Sequence, residues 1–90
     1  MKTNYVKNVP VTDTALEPGT VLKSMYVTNI TTTNKLFSIK LEDAYIIKDL
    51  SLEPNVTVHF FEDMPIYYKT DRITISSEQN ASVDVVYTIE

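Results

Sequence analysis

Stiff apolar and polar side chains alternate through most of this chain, and that pattern constrains the fold more than any other feature. Phe37, Ile39 and Leu41 alternate with Ser38 and Lys40. Val56, Val58 and Phe60 alternate with Thr57, His59 and Phe61. Ile73 and Ile75 oppose Arg72, Thr74 and Ser76, and Val83, Val85, Tyr87 and Ile89 oppose Asp84, Val86 and Thr88. A period of two sends successive side chains to opposite faces of a strand, so each run reads as a half-buried strand with one wet side. Val, Ile and Thr supply 30 of the 90 residues, and β-branched side chains favour pleated strands over helix. No window of ten residues carries the i, i+3, i+4 spacing of a capped helix. Turn signals separate runs at 4–11, 21–29, 35–41, 44–50, 55–61, 66–69, 72–76 and 82–89, a spacing that predicts an all-β sandwich or barrel.

Two segments depart from simple alternation. In 21–29, Val21, Met25 and Val27 share a face with Lys23 while Leu22 and Tyr26 lie opposite. This predicts a bulge or a strand covered on both sides. Residues 1–19 carry strand signals but little apolar content beyond Tyr5, Val6, Val9 and Val11, and Pro10 and Pro18-Gly19 interrupt them. They are expected to form an N-terminal edge strand or an arm that docks on a neighbour's sheet. Residues 20–90 are expected to form the sandwich domain. Ninety residues suffice for one domain that can bury about 64% of its open-chain surface, a modest core that needs no disulfide.

Most catalytic chemistry is excluded by residue type. The chain has one glycine (Gly19), one histidine (His59), no cysteine and no tryptophan. A phosphate cradle needs several glycines, and a zinc site needs three or four ligands. No Ser-His-Asp spacing emerges, and His59 reads as a hydrogen-bonding strand residue. The acid pairs Glu42-Asp43 and Glu62-Asp63 read as solvated loop acids, short of the six to eight oxygens of a calcium site. A net charge of −4 with dispersed bases argues against nucleic acid, which demands a cationic stripe. The longest apolar run, Ala44 to Ile47, is too short for a membrane span, and no signal-peptide pattern opens the chain. The expectation is a non-enzymatic contact protein with no catalytic residue, no cofactor and no metal.

What remains is apolar surface. Leu36, Phe61, Tyr67 and Val86 fall on the wet faces, and with Tyr5, Val6 and Val9 of the N-terminal segment they form the candidate interface. Tyrosine brings contact area with a polar tip, which favours protein contact. Carbohydrate platforms use exposed Tyr as well, so a carbohydrate-binding module with Tyr67 and Phe61 as its platform is the alternative of another class.

The order of pieces resembles a known group. Leu22-Lys23-Ser24-Met25-Tyr26-Val27-Thr28-Asn29 leads through Ile30 to Asn34 into Leu36-Phe37-Ser38-Ile39-Lys40-Leu41. The loop Glu62 to Tyr68, the turn-strand Thr70-Asp71-Arg72-Ile73-Thr74-Ile75-Ser76 and the closing run Asn80 to Ile89 follow. Over residues 20–89 this resembles the small Ig-like β-sandwich virion proteins of tailed bacteriophages, found as capsid decoration, neck and tail components. Thr70 stands where those chains often carry Gly before the Asp. The resemblance implies an Ig-like or jelly-roll-like sandwich of about seven or eight short strands. It implies a structural role, most directly as a capsid decoration (cement) protein, or else as a neck, tail or baseplate subunit. The implied partners are other virion proteins (the major capsid protein, or neck and tail subunits), with no nucleic acid and no membrane. Homo-oligomerisation is left open. Assembly into the virion in the bacterial host cytoplasm is implied, and no functional residue carries over.

Overall fold

The computed structural model describes residues 1–18, 21–62, 65–68 and 71–90, with the side chain of Tyr67 excepted. Within them the chain is all-β, and the strands follow the alternation closely. They are β1 (Lys2–Val6), β2 (Thr14–Ala15), β3 (Val21–Asn29), β4 (Lys35–Leu41), β5 (Ala44–Leu52), β6 (Thr57–Phe60), β7 (Ile66–Tyr67), β8 (Ile73–Ser77) and β9 (Val83–Ile89). All ladders are antiparallel, and they build two sheets. One has the order β1-β9-β3-β6, with β7 continuing the line of β6 along β3, and the other has the order β2-β8-β4-β5.

The pairing is nested. β4 and β5 form the innermost hairpin. Outside it β3 pairs with β6 and β7, then β2 with β8, then β1 with β9. The folded ribbon is closed by β3 against β9 and β4 against β8. With β6 and β7 counted as one interrupted strand, this is the eight-stranded order of a jelly roll, two Greek keys wrapped into a sandwich. An immunoglobulin sandwich would instead pair the first strand with the second and the last with the one before it. Of the two architectures expected, the strand order is that of the jelly roll.

The core lies between the sheets. Met25, Val27, Phe37, Ile39, Ile73, Ile75, Val83, Val85, Tyr87 and Ile89 are buried in it, as alternation predicts, and Leu22 and Leu52 join them. Leu22 and Met25 both reach the core because the register against β9 shifts between Leu22 and Ser24. This is the bulge expected in that segment, and Lys23 absorbs the extra step.

Four expectations need correction. The first strand ends at Val6 rather than Val11, because Asn8 takes a left-handed conformation (φ 59°) that turns Val9 inward. Ser38, expected on a wet face, is buried, and its Oγ accepts the Asp49 N–H at 2.9 Å. Asp49 is itself left-handed (φ 50°), so the edge strand β5 bulges over it. Val56, expected inside, is exposed because the sixth strand begins only at Thr57. Phe60 and Phe61 do not alternate in and out. Phe61 is left-handed (φ 68°), the strand ends there, and both rings pack on the core 5.8 Å apart.

Residues 1–18 are woven into the sandwich. β1 is an edge strand on β9, and Val9 and Leu16 belong to the core. The segment is pinned on both sides. Tyr68 Oη donates to Glu17 O (2.9 Å) and Glu17 N donates to Tyr87 Oη (2.9 Å). Lys2 Nζ lies 2.6 Å from Glu17 Oε1, and the Asn4 side-chain amide donates to the other carboxylate oxygen. The Lys2 hydrogen bond holds the Glu17 carboxyl below its usual range, and burial pushes the Tyr68 phenol up.

Asn29, at the end of β3, clamps one sheet to the other. It is fully buried, with both ends of its amide in use. Nδ2 donates to Leu52 O at the end of β5 (2.9 Å) and to Thr33 O (2.9 Å). Oδ1 accepts from Thr31 N (2.9 Å) and Thr31 Oγ1 (2.7 Å).

Candidate functional site

The outer face of the β1-β9-β3-β6 sheet carries a row of large side chains straight across its four strands. Register sets Tyr5 opposite Val86, Val86 opposite Tyr26, and Tyr26 opposite His59. These residues point outward because their neighbours along β3 and β9 (Met25, Val27, Val85 and Tyr87) fill the core. Tyr5 is 75% exposed, Tyr26 46% and Val86 42%. His59 stacks flat on Tyr26, with ring centroids 4.1 Å apart and planes 9° from parallel. Its Nδ1 is 3.3 Å from Glu62 Oε2, and its Nε2 is buried without a hydrogen-bond partner. Stacking therefore fixes the imidazole as part of the platform.

Short polar residues flank the row. Thr3, Thr88 and Ser24 lie on one side, and Asp84, Thr28 and Thr57 on the other. Thr28 and Thr57 share a 2.8 Å hydroxyl hydrogen bond across the strands. These three rows contain no lysine or arginine, and their single acid, Asp84, accepts the Asn8 N–H at 2.8 Å. Charge depletion with aromatic enrichment is the compositional mark of an interface centre. The other sheet is charged where this one is bare. Lys40 pairs with Asp13 at 2.7 Å, which raises the lysine pKa, and the Lys40 and Lys48 ammoniums both lie over the Tyr45 ring.

At the open end of the row, Tyr5, Val6, Lys7, Asp84, Val85 and Val86 line a shallow hollow of about 170 Å³. Pockets for small molecules usually measure about 300–1,000 Å³, so the hollow suits one protruding side chain. Among the described residues, no three His, Asp or Glu side chains gather closely enough to hold a metal ion.

The seven candidate interface residues separate. Tyr5 and Val86 are brought together as neighbours in the row. Val6 faces inward at the edge and packs on the core. Val9 is 0% exposed, its N–H bonded to Val83 O at 2.8 Å, so it is a core residue and no part of a contact surface. Leu36 is half-buried on β4, in the other sheet. Phe61 packs on the core, which removes it from any carbohydrate platform. The backbone of Tyr67 pairs with Val21, and its side chain lies outside the described residues.

The sequence reading missed Tyr26 and His59 as members of the site. The signal for Tyr26 was its place opposite Met25 and Val27. Residue type alone offers no signal that His59 would lie beside it, because that depends on strand register.

Comparison with protein-family models, with curated proteins and with solved structures returned no match. The fold and this face define the class: a small jelly-roll β-sandwich with a charge-poor aromatic row on one sheet.

Proposed function

We propose that this protein is a non-enzymatic structural protein of a bacteriophage virion, a capsid decoration protein that docks on the major capsid lattice. It assembles there in the bacterial host cytoplasm. The observation that carries the reading is the Tyr5–Val86–Tyr26–His59 row. Jelly rolls also occur among viral capsid domains, a fold-level analogy that supports the reading.

Size decides how such a face must work. Strand spacing of ~4.8 Å and a two-residue rise of ~6.8 Å give each position about 33 Å², so the ten positions of the three rows cover roughly 330 Å². A stable binary interface buries about 800 Å² per partner. One copy therefore binds weakly through this face, and copies that also contact one another on a lattice would bind more tightly, since linked contacts gain about 10²–10⁴ in avidity. Lys7 at the hollow is a single base and makes no cationic stripe for phosphates, which favours a protein partner over nucleic acid.

The test is co-sedimentation of tagged protein with assembled particles, quantified as copies per virion. Stoichiometry matching the capsid lattice supports decoration. Stoichiometry matching a single ring assigns the protein to the neck, tail or baseplate instead. Tyr26→Ala and Val86→Lys should each reduce particle association while leaving the fold intact. Failure to associate with particles at all overturns the proposal. A second reading, a carbohydrate-binding module, is favoured by the exposed Tyr5 and Tyr26 rings on one sheet. Glycan-array binding abolished by Tyr5→Ala would establish it.

A further inference from the structure

Among the described residues the two sheets present four free edges, and three of them are blunted. β2 is two residues long. The β6–β7 line is broken between Phe60 and Ile66, with Phe61 left-handed at the break. β5 is long, but Asp49 is left-handed, its ladder to β4 shifts register, and exposed Lys48 sits on the strand. Short edges, bulges and lysines are the usual means by which proteins prevent strand addition.

β1 lacks these guards. Its five residues pair with β9 in unbroken register and contain no proline and no positive φ. Lys2, the one charge within it, is drawn onto Glu17 of the same chain at 2.6 Å. Tyr5 stands beside the open edge, the most exposed member of the row.

We propose that β1 is where a second copy of this chain joins, antiparallel and edge to edge, across a two-fold axis at Asn4. An isologous contact must be self-complementary, and this strand is. Centring on Asn4 pairs all five residues. Thr3 then faces Tyr5 of the second copy, small against large on the outer face, and Lys2 faces Val6 of the second copy. No like charges lie opposite each other, a pairing that would be destabilising. A slip of one residue would turn Tyr5 to the wrong face, and a slip of two would lose pairs.

The join fuses two four-stranded sheets into one of eight. The row of one copy, His59–Tyr26–Val86–Tyr5, runs on to Thr3 of the next, so the two aromatic rows lie side by side. The charge-poor footprint doubles to roughly 650 Å². This inference concerns the isolated protein and stands apart from the virion reading.

Sedimentation velocity over a concentration series, without particles, tests it. The expected result is a monomer–dimer equilibrium weakened at least tenfold by the double substitution Thr3→Glu/Tyr5→Glu, which sets glutamates opposite each other. Both positions are exposed, and circular dichroism checks the fold. The chain has no cysteine, so cross-linking gives an independent readout. Thr3→Cys and Tyr5→Cys, mixed and oxidised, should form a disulfide dimer faster than either alone, because opposite Cα atoms lie within disulfide range. A monomer at every concentration, a dimer indifferent to the glutamates, or a mixture no faster than its components overturns the proposal.

Discussion

Replacing Asn29 with alanine should cost more stability than any other change of a polar side chain in this protein. The amide joins the end of β3 to the end of β5 and holds the intervening 30–34 turn through four hydrogen bonds. Each is worth a net ~1 kcal/mol, and the partners at Thr31 and Thr33 can regain water once it is gone. Together these predict a loss of about 3–4 kcal/mol from a domain whose total stability is of order 5–15 kcal/mol. For a chain of this size the melting temperature should fall by roughly 15–25 °C. Urea unfolding followed by circular dichroism, with wild type and variant at one m-value, measures the difference. Asn29→Asp should be worse than alanine at neutral pH, because it sets a carboxylate against two carbonyl oxygens. Asn34→Ala, on the exposed turn, is the control. A loss below about 1 kcal/mol for Asn29→Ala would refute the clamp, since the sheets would then be held without it.

Other consequences can be measured in the same way. Phe37→Ala should cost about 3–5 kcal/mol in urea unfolding, because Phe37 is the largest fully buried side chain among the described residues and its loss leaves a cavity. Ala81→Gly should stabilise the protein by about 1 kcal/mol, since Ala81 holds φ 61° where glycine pays no steric penalty. The Glu17 carboxyl sits below its ordinary value in the folded state, chiefly through its Lys2 hydrogen bond. Its contribution is therefore present above the ordinary carboxylate range and lost as pH falls through the lowered value. Lys2→Ala should flatten that part of the acid limb in urea midpoints measured from neutral to strongly acidic pH.

Strands whose register is enforced by their own side chains were legible in the sequence. Val21–Asn29 and Lys35–Leu41 have the predicted bounds, and the bulge in the first follows from apolar residues on both faces. β2 was invisible, because two residues carry no periodicity. The strand assigned to 4–11 ran too long, because nothing in Lys7-Asn8-Val9 marks a left-handed turn except the asparagine itself. Among the described residues six left-handed positions fall on Asn8, Glu42, Asp49, Asn55, Phe61 and Ala81. Only the two asparagines and Asp49 are residue types that announce it. The site was half legible for a related reason. Tyr5 and Val86 stand out as apolar residues on a wet face, whereas the Tyr26–His59 stack exists only once β3 and β6 are paired. Non-local pairing likewise separates the jelly roll from the immunoglobulin order.

The nesting of the ladders has a consequence for how the chain is made. Among the described residues β1 has one ladder partner, β9, the furthest from it in chain order of the nine strands. β9 is also the central strand that joins β1 to β3. A growing chain can zip the β4–β5 hairpin early, yet it cannot close this sheet until residues 83–89 have left the ribosome. Until then the margins of β1 and β3 stand open, the condition in which slow, long-range β-proteins aggregate. The chain's frequent threonines and short apolar runs suit it to that wait. Truncation within residues 83–89 would remove the keystone of the sheet.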